Sequence, residues 1–224
     1  MSSIPAIGFP GSPSVKRAGI VVADPTTLAI QRVITLQYNP DSLSRSLQIR
    51  ATTTEAGDRL DALRLTGPPV ETIKLDAELD LTDQLEFPSQ NPNAVQYGLY
   101  PQLAALETLI YPSSAQIQSD NTLAAGGTIE VAPMEAPLTL FVWSANRILP
   151  VRLTEFSVTE EAFDTSLNPI RAKVSLGMRV LSVNDLDFDE KGNSIYLAYQ
   201  QRKETLAGKV GSVGLAALGI TSIA

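Results

Sequence analysis

Two long stretches of strict alternation constrain the fold of this 224-residue chain more than any other feature. In residues 70–81 the apolar side chains occupy every second position from Ile73 to Leu81, and in residues 169–180 they do so from Ile170 to Val180. A period of two predicts β-strands with one buried and one polar face. Eleven such residues span about 36 Å, well above the usual strand of five or six. We therefore expect either a large barrel or a sheet that extends into a neighbouring subunit.

The remaining pattern predicts further antiparallel strands and two helices. Residues 19–23 and 28–38 form a hairpin across a turn at 24–27, 43–51 form a strand, and 138–143 and 149–158 form two more, with a bulge between Leu153 and Phe156. Residues 101–111 predict a helix that Pro112 ends, and about 194–207 a second one that Gly208 ends. Residues 52–69 and 113–127 are interpreted as polar loops, with Asn168-Pro169 marking a bend before the last strand. No strand–helix alternation indicates βαβ units, so the predicted class is mainly β (α+β).

Composition and turn residues divide the chain into three parts. Residues 1–15 are rich in Ser, Pro and Gly and predict a flexible arm, 16–207 predict one β domain, and 208–224 predict a short apolar tail. The N-terminus lacks the basic and apolar regions of a secretory signal. The tail is shorter than the roughly 20 residues that a transmembrane helix needs. We expect cytoplasmic assembly with no signal peptide and no membrane span.

The chain contains no histidine and no cysteine, and its net charge is −7 without a run of basic residues. Ser-His-Asp and Cys-His catalysis, disulfides and the commonest metal ligands are therefore excluded, and nucleic-acid binding is disfavoured. The triplet Asp185-x-Asp187-x-Asp189 departs from a calcium loop, because the glycine stands at the eighth position and Tyr196 replaces the closing glutamate. We interpret it as an acidic surface loop and expect no metal, no cofactor and no enzymatic activity.

The polar faces of the two long strands carry opposite charges. Asp76, Glu78 and Asp80 lie on the first, whereas Arg171, Lys173 and Arg179 lie on the second. If the strands are neighbours these charges pair within a subunit, and if they lie on opposite sides they pair between subunits of a ring. The sequence leaves both possibilities open, and these six residues are the candidate subunit interface.

The same acidic face supports a rival hypothesis. Its carboxylates are roughly 6.6 Å apart along the strand, within the roughly 5 to 10 Å that separates the paired carboxylates of glycosidases. Any solvent-facing acidic strand has this spacing too. The alternative function is thus a carbohydrate-active or carbohydrate-binding β-sandwich that uses Asp76, Glu78 and Asp80. A lipocalin-like ligand barrel is a third possibility, which the central helix disfavours.

Four segments resemble one known family. Residues 36–47 (LQYNPDSLSRSL), 67–79 (GPPVETIKLDAEL), 101–107 (PQLAALE) and 147–181 are similar to the tube-type baseplate proteins of phage-tail-like contractile injection systems. The likeness covers about residues 16–207. It is nearest to the tube-initiator or spike-adaptor subunit that often carries a C-terminal LysM domain.

The resemblance implies a fold, a role and a set of partners. The fold would be a phage tail-tube-like two-sheet barrel with one flanking helix and a C-terminal helix, and the subunits would form a hexameric ring through long hairpins. That ring would join the spike/hub protein to the inner tube protein, beside other baseplate subunits, without catalysis. Residues 208–224 leave no room for a LysM domain, so we expect the apolar side chains Val213, Leu215, Leu218 and Ile220 to dock on a baseplate neighbour.

Overall fold

A computed structural model describes residues 16–50, 65–126, 136–211 and 214–223. The described strands are β1 (Gly19–Ala23), β2 (Ile30–Thr35), β3 (Ser44–Gln48), β4 (Val70–Asp80), β5 (Leu138–Ser144), β6 (Arg147–Phe163) and β7 (Pro169–Val180). The described helices are α1 (Thr82–Leu85), α2 (Pro92–Tyr97), α3 (Tyr100–Glu107), α4 (Ser114–Ala125) and α5 (Lys191–Ala207), followed by a 3₁₀ turn at Leu215–Leu218.

These strands form one seven-stranded sheet in the order β2-β1-β5-β6-β7-β4-β3. Every neighbouring pair is antiparallel, which confirms the mainly β (α+β) class. β2 and β3 are the two edges and do not pair with each other, so this sheet is open and the expected closed two-sheet barrel is not shown. Strand length alone does not decide closure, because long strands can also lie side by side in a single layer covered by helices.

The hydrophobic core lies on one face of the central strands. Register places side chains of β4, β7 and β6 side by side in shared apolar rows, as in Ile73–Met178–Leu153 and Leu75–Leu176–Phe156. Helices α3 and α5 complete the core with the buried side chains Leu99, Leu103, Leu106, Tyr196 and Tyr199. The two alternating stretches of the sequence therefore have the buried and polar faces that their period predicts.

The β6–β7 hairpin is held by its own turn and by the helical insertion. Asp164 Oδ1 accepts hydrogen bonds from the backbone N–H groups of Ser166 (2.7 Å) and Asn168 (2.8 Å). The backbone N–H of Leu99 donates to the carbonyl of Pro169 at 2.9 Å. Between the helices, Gly98 has a φ of 56°, which only glycine adopts at no steric cost. The expected bend at Asn168-Pro169 is the end of this hairpin turn, since β7 begins at Pro169, and a helix–hairpin contact holds it.

The bulge in β6 was predicted correctly from the sequence, whereas helix α4 was not. The bulge predicted between Leu153 and Phe156 is confirmed as a register shift between Leu153 and Glu155. The predicted polar loop at 113–127 is wrong, because residues 114–125 form α4, whose first turn is capped by the Ser113 hydroxyl at 3.2 Å from the backbone nitrogen of Gln116. Helix α4 has no buried residue, so it lacks the apolar stripe from which a helix is recognised in a sequence.

Two other elements have different boundaries from those expected, and two expected segments fall wholly or mostly outside the described residues. The predicted 101–111 helix ends earlier, at Glu107, and the predicted 43–51 strand is shorter, with bounds Ser44–Gln48. The N-terminal arm 1–15 and most of the loop 52–69 lie outside the described residues.

We expect Gly98→Ala to destabilise the protein by about 2–3 kcal/mol, through strain at positive φ and collision with the hairpin turn. A Cβ atom there would lie 2.6 Å from the Pro169 carbonyl oxygen and 2.8 Å from Asn168 Cβ. Urea unfolding measures the change. Gly211→Ala is the matched control, since a Cβ at that position meets no atom within 4 Å. Equal stability of the two variants would contradict the clamping of the hairpin by the helices.

Candidate functional site

The polar face of the central sheet brings the predicted interface residues together within one subunit. β4 and β7 are neighbours, with Asp80 opposite Arg171 and Glu78 opposite Lys173. Arg171 Nη2 lies 2.8 Å from Asp80 Oδ2. Of the two arrangements that the sequence left open, the structure has the one in which opposite charges pair inside the chain.

Two of the three basic residues on β7 pair with carboxylates that sequence reasoning missed. Lys173 Nζ lies 3.7 Å from Glu161 of β6, and Arg179 Nη2 lies 2.5 Å from Asp185 in the loop after β7. Asp76, in turn, accepts a hydrogen bond from the hydroxyl of Ser175 at 2.5 Å. The β6 bulge shifts which side chains of β6 oppose β7, so the partnership with Glu161 was not readable from alternation.

An ion pair crosses the central strand at a glycine. Lys74 Nζ on β4 lies 2.5 Å from Glu155 Oε2 on β6, although β7 separates those strands. Gly177 stands opposite both residues, and a Cβ there would lie 2.7 Å from Glu155 Cβ. The absent side chain leaves the space across which Lys74 and Glu155 meet, and this polar face is therefore tied together across three strands.

Asp80 is held in its charged form. Burial alone would raise the pKa of its carboxyl, but the Thr82 hydroxyl, the Thr82 backbone N–H and the Arg171 guanidinium outweigh burial and lower it. A glycosidase general acid needs the opposite shift, a raised pKa. Asp80 is thus suited to bind a cation or accept hydrogen bonds and not to donate a proton.

A polar depression of about 330 Å³ lies at the Asp80 end of this face. It is lined by Tyr38, Glu78, Asp80, Glu161, Arg171 and Lys173. The side chain of Gln37 bonds to both backbone groups of Asp80 and so holds the segment that carries Tyr38 beside the end of β4. An aromatic ring beside carboxylates is an arrangement that can take a polar ligand such as a sugar.

The edge strands are a second candidate surface, and the sequence did not distinguish them from the inner ones. On β2 the side chains of Ile30 and Val33 are 68% and 55% exposed, and on β3 Leu47 is half exposed. Edge strands are usually protected by charged side chains. Here Arg32 of β2 is directed into its own chain, where its guanidinium donates to Thr108 Oγ1 at 2.6 Å. Within the described residues, both edges therefore present apolar side chains and backbone groups without a partner strand.

Two further apolar segments are exposed. The β6–β7 hairpin presents Phe163 and Leu167, and Leu167 has a positive φ of 64°, where a bulky side chain is unusual. In the tail, Leu215, Leu218 and Ile220 are exposed, as predicted for a docking segment, whereas Val213 lies outside the described residues. Docking of the tail on a neighbour stays a prediction.

Within the described ranges, no group of three or more His, Cys, Asp or Glu side chains is placed to hold a metal ion. Asp185 of the acidic Asp185–Asp189 loop bonds to Ser182 and Arg179. No helix in the described part of the chain is long and apolar enough to cross a bilayer.

Asp185 anchors the loop between β7 and α5. Its Oδ2 accepts from both the backbone N–H and the hydroxyl of Ser182 at 2.9 Å. Burial alone would raise the pKa of Asp185, but these two hydrogen bonds and the positive charges of Arg179 and Arg50 outweigh it, so the pKa lies below the usual 3.8. A carboxyl with a lowered pKa stabilises the fold in its ionised form.

We expect Asp185→Asn to cost about 1–2 kcal/mol of unfolding free energy at pH 7, because a charged acceptor of three partners is lost. The natural chain should hold this advantage above the unfolded pKa of 3.8 and lose it as pH falls from there through the lowered folded pKa. Denaturant unfolding of both proteins between pH 2.5 and pH 7 measures the difference, with exposed Asp187→Asn as the loop control. A difference that stays constant down to pH 2.5 would disprove the ionic role.

Comparisons with known proteins do not assign the chain to a family. No known family profile matches it, and no curated protein does. Among solved structures it is similar to a chain described as the tail of an empty GTA particle, computed with helical refinement and C6 symmetry. The match has 10% identity, covers 76% of this chain and 95% of that chain, and has a TM-score of 0.28. A likeness at that TM-score does not establish a shared fold.

Proposed function

We propose that this chain is a non-enzymatic structural subunit of a contractile injection system baseplate. It forms a hexameric ring that joins the spike/hub to the inner tube and initiates tube assembly, as part of a phage-tail-like particle assembled in the cytoplasm. The observation that carries the proposal is the single open sheet with two exposed edge strands. The four sequence segments that resemble tube-type baseplate proteins supply the specific role.

Two different open edges allow copies of the chain to assemble into a ring. β2 and β3 are different strands at opposite ends of the sheet order, so a contact between β2 of one copy and β3 of the next is heterologous. Heterologous contacts repeat around an axis and close into a ring when the rotation allows it. Main-chain hydrogen bonds between the edges would supply affinity, and the apolar side chains would supply specificity.

The charged sheet face is a less favourable lateral contact than these edges. Arg171, Lys173 and Arg179 each have a carboxylate partner inside the chain. A partner subunit would gain little by replacing pairs that already exist, because exposed ion pairs contribute little free energy. The proposal therefore assigns lateral contacts to the sheet edges and to the exposed hairpin residues Phe163 and Leu167. We assign contacts with the spike/hub, the inner tube and other baseplate subunits to the charged sheet face and to the tail.

We expect the double substitution Ile30→Lys and Val33→Lys to prevent ring formation and leave the fold intact, because both side chains are exposed on an edge strand. Analytical ultracentrifugation and negative-stain microscopy compare the variant with the natural chain, and circular dichroism checks its folding. The matched control is Phe188→Lys with Tyr111→Lys, two exposed residues outside the strands. Rings of normal size from the edge variant, or loss of rings from the control, would count against edge pairing.

The polar depression supports carbohydrate binding as a second candidate function. Its Tyr38 ring and the carboxylate of Glu78 resemble the mixed aromatic and polar lining of sugar sites. The lowered pKa of Asp80 favours binding over hydrolysis.

If the depression binds sugars, Tyr38→Ala and Glu78→Gln should each weaken binding at least tenfold, because stacking or a hydrogen bond is lost. Calorimetry with chitohexaose and with soluble peptidoglycan fragments measures the dissociation constants. A hydrolysis assay on the same glycans tests for enzymatic activity. Glu155→Gln, on the same sheet face but outside the depression, is the control. No binding by the natural chain to either glycan would remove this candidate and leave the structural one.

A further inference from the structure

A charge cluster around one buried carboxylate joins an edge strand, an inner strand and the C-terminal helix. The carboxylate of Glu71 on β4 is 4% exposed, and its Oε1 lies 2.6 Å from Arg45 Nη2 on β3. Lys203 Nζ on α5 lies 3.5 Å from the other carboxylate oxygen. Arg45 also donates to the Tyr199 hydroxyl at 3.0 Å, and Lys203 Nζ lies 4.1 Å from the centre of the Tyr199 ring. We call these four residues the Glu71 cluster.

The Glu71 cluster anchors β3, which has no buried apolar side chain of its own. Four of the five side chains of β3 are exposed, and Arg45 is the one that is partly covered. Among the described strands β3 pairs only with β4, over the five positions Ser44–Gln48. A short strand paired on one side and without a buried apolar side chain is marginal in water. The anchor of β3 is therefore Arg45, and Arg45 is fixed by Glu71 and Tyr199.

Helix α5 depends on the same contacts. Its buried residues are Gly192, Asn193, Tyr196 and Tyr199, all in its first half or at its centre. Beyond Tyr199 the helix has no buried residue, and two polar contacts tie it down, Lys203 with Glu71 and Arg202 with the carbonyl of Ala145 in the β5–β6 turn. Buried ion pairs are weak contributors to overall stability, but they can specify one arrangement of the elements that they join.

We propose that α5 holds the edge strand β3 against β4 through the Glu71 cluster, so that the C-terminal helix determines whether this sheet edge is ordered for pairing with a partner strand. The first half of this inference concerns the single chain. The pairing with a partner strand rests on the proposed function. By reciprocity, a partner strand that orders β3 also makes the docking of α5 more favourable. Arg45, Glu71, Tyr199 and Lys203 are then positioning residues of the edge.

Hydrogen exchange measured by mass spectrometry tests the inference on the full chain, at a concentration where light scattering shows single chains. Tyr199→Phe removes one hydroxyl and keeps the ring beneath Lys203, and Lys203→Met keeps the stem and removes the charge. We expect both to raise the exchange rate of the 44–48 amides at least threefold, and Glu71→Gln to raise it at least tenfold. The amides of edge strand β2 and of inner strand β7 should change less than twofold.

Tyr196→Phe is the matched control, since its hydroxyl has no hydrogen bond among the described residues and it lies on the same helix. Exchange at 44–48 unchanged in Tyr199→Phe and Lys203→Met, with faster exchange in α5 alone, would overturn the proposal. Equal acceleration of β2, β3 and β7 would overturn it too, as general destabilisation. These outcomes do not depend on ring formation, so a failure of the edge-pairing experiment leaves them readable.

Discussion

Strand β7 bonds to β4 on one side and to β6 on the other, and this double pairing is the constraint on which the rest of the structure depends. Its register places apolar side chains of three strands in the same buried rows and charged side chains of the same strands on the opposite face. A slip of one residue would exchange the two faces and bury Arg171 and Lys173. Such a slip is disfavoured because burying unpaired charges costs a large amount of free energy.

The pairing also decides which polar groups of the sheet find their partners within the chain. Around β7, charges are partnered within the chain, by Asp80, Glu161 and Asp185, and Lys74 meets Glu155 across Gly177. At the two ends of the sheet, by contrast, no further strand pairs with β2 or β3 among the described residues, and Ile30 and Val33 are exposed. An assembly that uses the edges completes hydrogen bonding, whereas one that uses the charged face must replace bonds already made. This difference is why the proposed lateral contacts lie at the edges.

Several particulars of the fold and the site could be read from the sequence. The hairpin of β1 and β2, the bulge after Leu153 and the turn at Asn168-Pro169 follow from local rules of alternation and of proline and turn chemistry. Helix α4 did not follow from them, because a helix without a buried residue leaves no apolar stripe. The Glu71 cluster was also missed, since Arg45 and Tyr199 are 154 residues apart in the chain and meet only when β3 and α5 reach β4. Arg45 can lie opposite the buried side chain of Ile73 because the carboxylate of Glu71 neutralises its charge there.

By itself, the sequence determined the faces of the long strands, the absence of histidine and cysteine chemistry, and the charges that those faces carry. Each of these is set by residue type and by a period of two, which act over a few neighbouring residues. Only the tertiary structure decided which strands are neighbours, and hence that Asp80 pairs with Arg171 inside the chain, that the sheet is open, and that α5 reaches the edge strand β3. Strand order is a choice among pairings that satisfy the same alternation equally well. It is settled by packing between segments far apart in the chain, which no local pattern records.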